Sequence, residues 1–167
     1  MVDVQVRELT ALDSRLLEQF TNLAIWTPQV LPSTGEAHSN PALRKYWQHF
    51  GAVDDHGFLA LSEDGAIGAA WARIIRGDPG YGRIDDRTPE LAIAVVPTWR
   101  GRGVGTQLLE TLLDHLTAVG YQSVSLSVQK ANPAVHLYKR FGFVTVRVYD
   151  NDYVMVRSLA PIDDSAA

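Results

Sequence analysis

The chain has 167 residues, of which 46% are hydrophobic and 20% charged, the profile of one soluble globular domain with a sizeable core. Its formal net charge of −4 argues against a nucleic-acid partner, because phosphate binding wants a basic surface. It contains no cysteine, which excludes disulfides, thiolate metal sites and a cysteine nucleophile.

Val2, Val4 and Val6 alternate with polar residues, so the chain is predicted to open with a strand. Thr10 and Asp13 fit a capping box, and Leu16, Leu17, Phe20, Leu23 and Ala24 follow at helical spacing. That helix should stop near Trp26. Residues 27–40 hold two prolines and a glycine and read as a loop. Asn40-Pro41 then supplies a cap and a first-turn proline for a second helix, expected to run to about Phe50.

Two strands, 57–62 and 66–76, flank the turn Glu63-Asp64-Gly65. Residues 77–87 read as a second loop. Leu91 to Val96 is nearly continuous apolar sequence, which suits a strand covered on both faces. A long third helix follows, with Leu108, Leu109, Leu112, Leu113, Leu116 and Val119 on one stripe and Gly120 closing it. Residues 121–128 alternate as a strand, Asn132-Pro133 opens a short fourth helix, and strands 143–149 and 153–158 end the pattern. Residues 161–167 are expected to fray. The reading is a single domain over 1–160. It is a mixed α/β fold whose central, mostly antiparallel sheet has about seven strands, with four helices.

The segment richest in chemistry is Arg100-Gly101-Arg102-Gly103-Val104-Gly105-Thr106, where the apolar strand turns into the long helix. Amide N–H groups at a helix start lack partners, and the helix dipole is positive there. Three glycines let an anion approach the backbone, and two arginines add charge. The local physics asks for a phosphate or diphosphate. A P-loop does not fit, since no Gly-Lys-Ser/Thr ends the run. A dinucleotide fingerprint does not fit either, because Thr106 stands at the third glycine position and residues 122–128 carry no acid.

Arg100 to Gly105 resembles the Arg/Gln-x-x-Gly-x-Gly/Ala signature of the GNAT acyltransferases. Asn132-Pro133-Ala134-Val135-His136-Leu137-Tyr138-Lys139-Arg140-Phe141-Gly142-Phe143 resembles that family's second motif, in its order and at about its distance. The resemblance implies acetyl-CoA as co-substrate and direct transfer of its acetyl group to a primary amine of a small molecule or peptide, with no metal. It implies that the backbone of Ala94, Val95 and Val96 lies along the pantetheine arm, with the Val95 N–H polarising the thioester carbonyl. Arg100, Gly101, Arg102, Gly103, Val104, Gly105 and Thr106 would cradle the diphosphate. Asn132 would contact the pantetheine, and Tyr138 would be the general acid beside the sulfur. Glu90, at the start of the central strand, would be the base.

The chemistry agrees with those roles. A fixed N–H at a developing oxyanion contributes a few kcal/mol. A leaving thiolate benefits from a proton donor, which a tyrosine supplies. An alkyl amine of pKa ~10.4 is protonated at pH 7, so its attack needs a base. Some relatives that acetylate protein N-termini carry a glutamate on the strand before the asparagine, where this chain has Ser127. The alternative reading keeps the fold as a non-catalytic CoA-binding sensor. A nucleotide-binding module using the Arg100 turn is a further rival.

Trp26, Tyr46, Trp47, Trp71 and Tyr153 are candidates for an acceptor pocket, with the two loops as its walls. The five histidines show no metal-ligand spacing, and no Gly-x-Ser-x-Gly occurs. The first residues lack the apolar core of a signal peptide, and no run of about 18 apolar residues exists. A cytoplasmic protein without a membrane partner is therefore expected. Homodimers through the last strands are an option the resemblance brings with it.

Overall fold

The computed structural model describes residues 3–26, 35–77 and 80–160. Strands β1 (Gln5–Glu8), β2 (His56–Ser62), β3 (Gly65–Arg73), β4 (Glu90–Val95), β5 (Ser123–Gln129), β6 (Val144–Val148) and β7 (Asp152–Ser158) form one seven-stranded sheet in the order β1-β2-β3-β4-β5-β7-β6. Every neighbouring pair is antiparallel except β4 and β5. The α-helices are α1 (Ser14–Ala24), α2 (Glu36–Ser39), α3 (Pro41–Arg44), α4 (Val104–Ala118) and α5 (Ala134–Arg140).

The period of two along β2 and β3 sorts their residues onto the two faces. Phe58, Ala60, Ala70 and Ala72 meet Leu108, Leu109, Leu112, Leu113 and Leu116 of α4. Leu59, Ala69 and Trp71 meet Leu17 and Phe20 of α1 on the opposite face. Burying each α4 leucine contributes roughly 1.5–3 kcal/mol before entropy is subtracted. Val119, expected on the same stripe, lies just past the helix end and is 50% exposed. The Thr10–Asp13 capping box forms as expected, around a short 3-10 turn that leads into α1.

Two expectations about the segment after α1 change. Five α-helices stand where four were expected, because α2 falls inside the stretch read as a loop. Its single turn is too short to show a period, and tertiary contacts hold it. Asn22 Oδ1 accepts the Ala37 N–H, and the Ala37 carbonyl accepts the Trp47 indole N–H. Helix α3 ends at Arg44 rather than near Phe50. The Arg73 guanidinium explains the stop, since it draws the carbonyls of Lys45, Gln48 and His49 toward itself. Positions 1–2, 27–34 and 78–79 of the expected strand and loops, and the tail 161–167, lie outside the described residues.

The feature that makes a site is the junction of β4 and β5. The two strands register at Glu90 and Ser125 alone, where the Ser125 N–H also reaches the Pro89 carbonyl. Beyond that point they part. β4 stays paired with β3 down to Val95, and β5 stays paired with β7 over its whole length. The sheet therefore opens into a wedge-shaped cleft of about 900 Å³.

Candidate active site

One wall of the cleft is the free edge of β4. Val96 donates its N–H to the Ile67 carbonyl on β3, which sets the alternation of the ladder. The backbone groups of Ala94 and Val96 therefore face β3, and those of Ile93 and Val95 face the cleft. Of the expected Ala94, Val95 and Val96, Ala94 and Val95 line the cleft together with Ile93, and Val95 is the one whose N–H and C=O point into it. Arg100 Nε donates to the Val95 carbonyl at 2.9 Å. The Val95 N–H, like that of Ile93, points into the cleft.

The mouth of the cleft is the turn into α4. Gly101 and Gly103 hold φ of 74° and 83°, a region that other residues enter only with strain. A side chain at either position would meet nothing within 4 Å. That space is left open by the protein, as an anion cradle requires. No side chain caps α4, whose N-terminus follows Gly103 directly. Gly101, Gly103, Gly105 and Thr106 line the cleft together with Arg100. Val104, the first residue of α4, is buried. Arg102 rests on the Trp99 ring at 4.8 Å, and Trp99 is itself tied by its indole N–H to Asp64.

The wall opposite β4 comes from β5 and α5. Asn132 Oδ1 accepts the Ala134 N–H and caps α5. Its amide nitrogen has no bond among the described residues and remains available as a donor. Tyr138 reaches the cleft from α5, packed edge-on against Phe143. Burial pushes the Tyr138 phenol above its ordinary range, so it holds its proton at neutral pH. Its hydroxyl has no hydrogen-bond partner among the described residues.

At the closed end, where the strands still touch, sits Glu90, only 4% exposed. Its Oε1 accepts two bonds, from the Tyr46 hydroxyl at 2.5 Å and from the Gly82 N–H at 2.8 Å. Burial raises its proton affinity above the usual carboxylate range, against the lowering effects of those two donors and of Lys45. Among the described residues, no group of three or more His, Asp or Glu is placed to hold a metal ion.

The family model described as "Acetyltransferase (GNAT) family" matches residues 17–143. This chain belongs to the GNAT acetyltransferase family. It is similar to the [ribosomal protein bS18]-alanine N-acetyltransferase of Haemophilus influenzae, at 39% identity over 61 residues, 36% of this chain and 42% of that protein. It is similar to a mycothiol acetyltransferase of Propionibacterium freudenreichii, at 31% over 96 residues, 56% of this chain and 29% of that protein. The streptothricin acetyltransferase of Streptomyces lavendulae is 32% identical over 92 residues, 54% of this chain and 46% of that protein. The chain thus spans less than half the length of these curated relatives.

The fold is shared with solved structures. The ribosomal-protein-S18-alanine N-acetyltransferase of Escherichia coli superposes with a TM-score of 0.67 at 17% identity, covering 97% of each chain. The PaiA N-acetyltransferase of Thermoplasma acidophilum, crystallised with coenzyme A, gives 0.67 at 16%, covering 93% of this chain and 99% of that one.

The GNAT fold thus gathers Glu90, Ala94, Val95, Arg100, Gly101, Gly103, Gly105, Thr106, Asn132 and Tyr138 around one cleft. Val96, Arg102 and Val104 flank it without lining it. Of the aromatic candidates, Trp26 and Tyr46 line the cleft. Trp47 and Trp71 are core residues, and Tyr153 lies under Lys130. Sequence reasoning named the loop 77–87 as a pocket wall but missed what Gly80 and Gly82 do in it. Neither Gly80 nor Gly82 is among the glycines with positive φ, so both serve clearance rather than backbone freedom. A Cβ at Gly82 would come within 2.6 Å of the Leu126 carbonyl carbon. The signal was the paired glycines of Gly80-Tyr81-Gly82, which a plain loop does not need.

Proposed function

We propose that this protein moves the acetyl group of acetyl-CoA directly onto a primary amine of a small molecule or peptide. The observation that carries this reading is the parting of β4 from β5, which leaves the Val95 N–H open beside the unpaired amides of α4. A diphosphate at the Gly101–Thr106 turn and an extended arm along Ile93 and Val95 would bring a thioester between Val95 and Tyr138. Val95 N–H stabilises the charge that builds on the carbonyl oxygen. Tyr138, buried and protonated, gives its proton to the departing sulfur. Glu90 accepts the proton that the acceptor nitrogen must lose. Ser127 lines the cleft as a neutral residue, and of the carboxylates that line it, Glu36, Glu90 and Asp152, this reading takes the buried Glu90.

The relatives carry unlike acceptors in their names: a ribosomal-protein alanine, mycothiol and streptothricin. An acceptor panel built on these, with detection of the released thiol, tests the reaction. Tyr138→Phe is expected to lower kcat by about 10²-fold or more while leaving acetyl-CoA affinity close to wild type. Gly103→Val places a β-branched residue at φ 83°, at roughly 1–3 kcal/mol of strain, and fills the open cradle. Calorimetry should show its affinity for CoA falling about tenfold or more. Tighter binding of ATP than of CoA by the wild type would overturn the reading. Tight CoA binding with no turnover on any acceptor would favour a sensor.

A further inference from the structure

Glu90 lines the closed end of the cleft, but its carboxylate is enclosed there. Its Oε2 is buried without a hydrogen-bond partner, and Gly80 lies so close that a Cβ there would overlap it. Its Oε1 is taken by the Tyr46 hydroxyl and the Gly82 N–H. Gly82 in turn is wedged against the backbone of Leu126 and Ser127, at the point where β5 leaves β4. One oxygen is thus buried and the other already accepts two bonds.

Tyr46 does reach both sides. It lines the cleft and is held in place from three directions. Its hydroxyl donates to Glu90 Oε1 and accepts the Tyr81 N–H at 2.8 Å. Its carbonyl accepts the Trp71 indole N–H at 2.7 Å. A phenol oxygen has two lone pairs, and Tyr81 uses one. The other is free for a proton arriving from the cleft.

We propose that Tyr46 is the relay through which the acceptor's proton reaches Glu90, an inference that rests on the transferase reading above. The acceptor's N–H bond breaks as an O–H bond forms at Tyr46 Oη. The original Oη–H bond breaks as one forms at Glu90 Oε1. The nitrogen keeps the electron pair that attacks the thioester carbonyl, and Glu90 ends as the carboxylic acid. Burial and the Glu90 charge both push the Tyr46 phenol upward, so phenolate is not a resting state and the two transfers are concerted.

The groups around the pair are few. Lys45 precedes Tyr46 and favours the Glu90 carboxylate. Arg73, the β3 partner of Glu90, has its guanidinium engaged by Asp55. In the 80–83 segment the Tyr81 ring stacks on Tyr46, and Arg83 pairs with Asp86. From β5 come the neutral Ser125 and Ser127.

Infrared difference spectra between wild type and Glu90→Gln, taken across pH, read the Glu90 carboxyl without any acceptor. Tyr46→Phe removes a donor to the carboxylate, so the Glu90 midpoint should move up. 3-Fluorotyrosine at position 46 keeps the ring and is a stronger donor, so the midpoint should move down. An unmoved midpoint in both overturns the relay. In turnover, Tyr46→Phe should lower kcat/KM for Nα-acetyl-lysine methylamide by about 10²-fold. The loss should be much smaller for an alanine-initiated peptide at pH 8, since an α-amine of pKa near 8 is already half free. Equal losses on the two amines would mark a merely structural residue and overturn the relay. Failure of acetyl-CoA to bind or turn over in the wild type sinks the transferase reading and the relay with it. Normal wild-type turnover with an unmoved midpoint sinks the relay alone.

Discussion

Glu90→Gln should lower kcat/KM for a lysine-like acceptor by about 10²–10⁴-fold, the range of a lost general base, with acetyl-CoA affinity unchanged. The reason is geometric first. The carboxyl lies at the closed end of the cleft, held by Tyr46 and Gly82, and glutamine keeps the acceptor oxygen for both donors while losing the basic site. The pH dependence follows from the direction of the shift. Burial lifts the Glu90 proton affinity in the folded chain above its unfolded value. The wild-type kcat/KM should therefore fall on acidification at a pH above the ordinary carboxylate range, and that limb should vanish in the variant. Linkage gives a second, independent readout. A group whose folded pKa is raised adds stability below its unfolded pKa, and that stability is lost as pH rises through the folded value. The wild-type melting temperature should decline across that window and the Glu90→Gln profile should be flatter there. Parallel profiles would show that Glu90 does not titrate as described.

Arg73→Ala is expected to produce the largest loss of stability among the polar residues, about 3–5 kcal/mol, as for breaking one side of a buried ion pair. Arg73 Nε and Nη2 meet the two oxygens of Asp55 at 2.9 and 3.2 Å, with the side chains 14% and 5% exposed. Its remaining hydrogens hold the carbonyls of Lys45, Gln48 and His49. For a chain of this size that loss corresponds to a fall of roughly 6–20 °C in melting temperature. Lysine would not rescue it, because a point charge cannot span a carboxylate and three carbonyls at once. The segment Arg73 organises carries Tyr46, so the variant should lose activity on alkyl amines beyond what partial unfolding explains. A variant as stable as wild type would remove Arg73 from the account of how the acceptor end is built.

What the chain states locally, it states clearly. The Gly101–Thr106 turn and its helix, the capped α5 bearing Tyr138 and the apolar strand ending at Val95 are all contiguous in sequence. Their spacing sets φ, period and burial within about twenty residues, and these elements and the family membership were readable there. The short helix α2 and the early end of α3 were not, because Asn22, Trp47 and Arg73 decide them from elsewhere in the chain. The same holds for the acceptor end. Tyr46, Gly80, Gly82 and Glu90 come from three separate segments, and nothing in their spacing says that they meet. The sequence alone therefore determined the glycine-rich turn, the helix it opens and the apolar strand that leads into it. Only tertiary packing decided that the Glu90 carboxyl is enclosed and that the Tyr46 hydroxyl is set against it, since a buried carboxylate must take its partners from whatever the folded sheet brings against it.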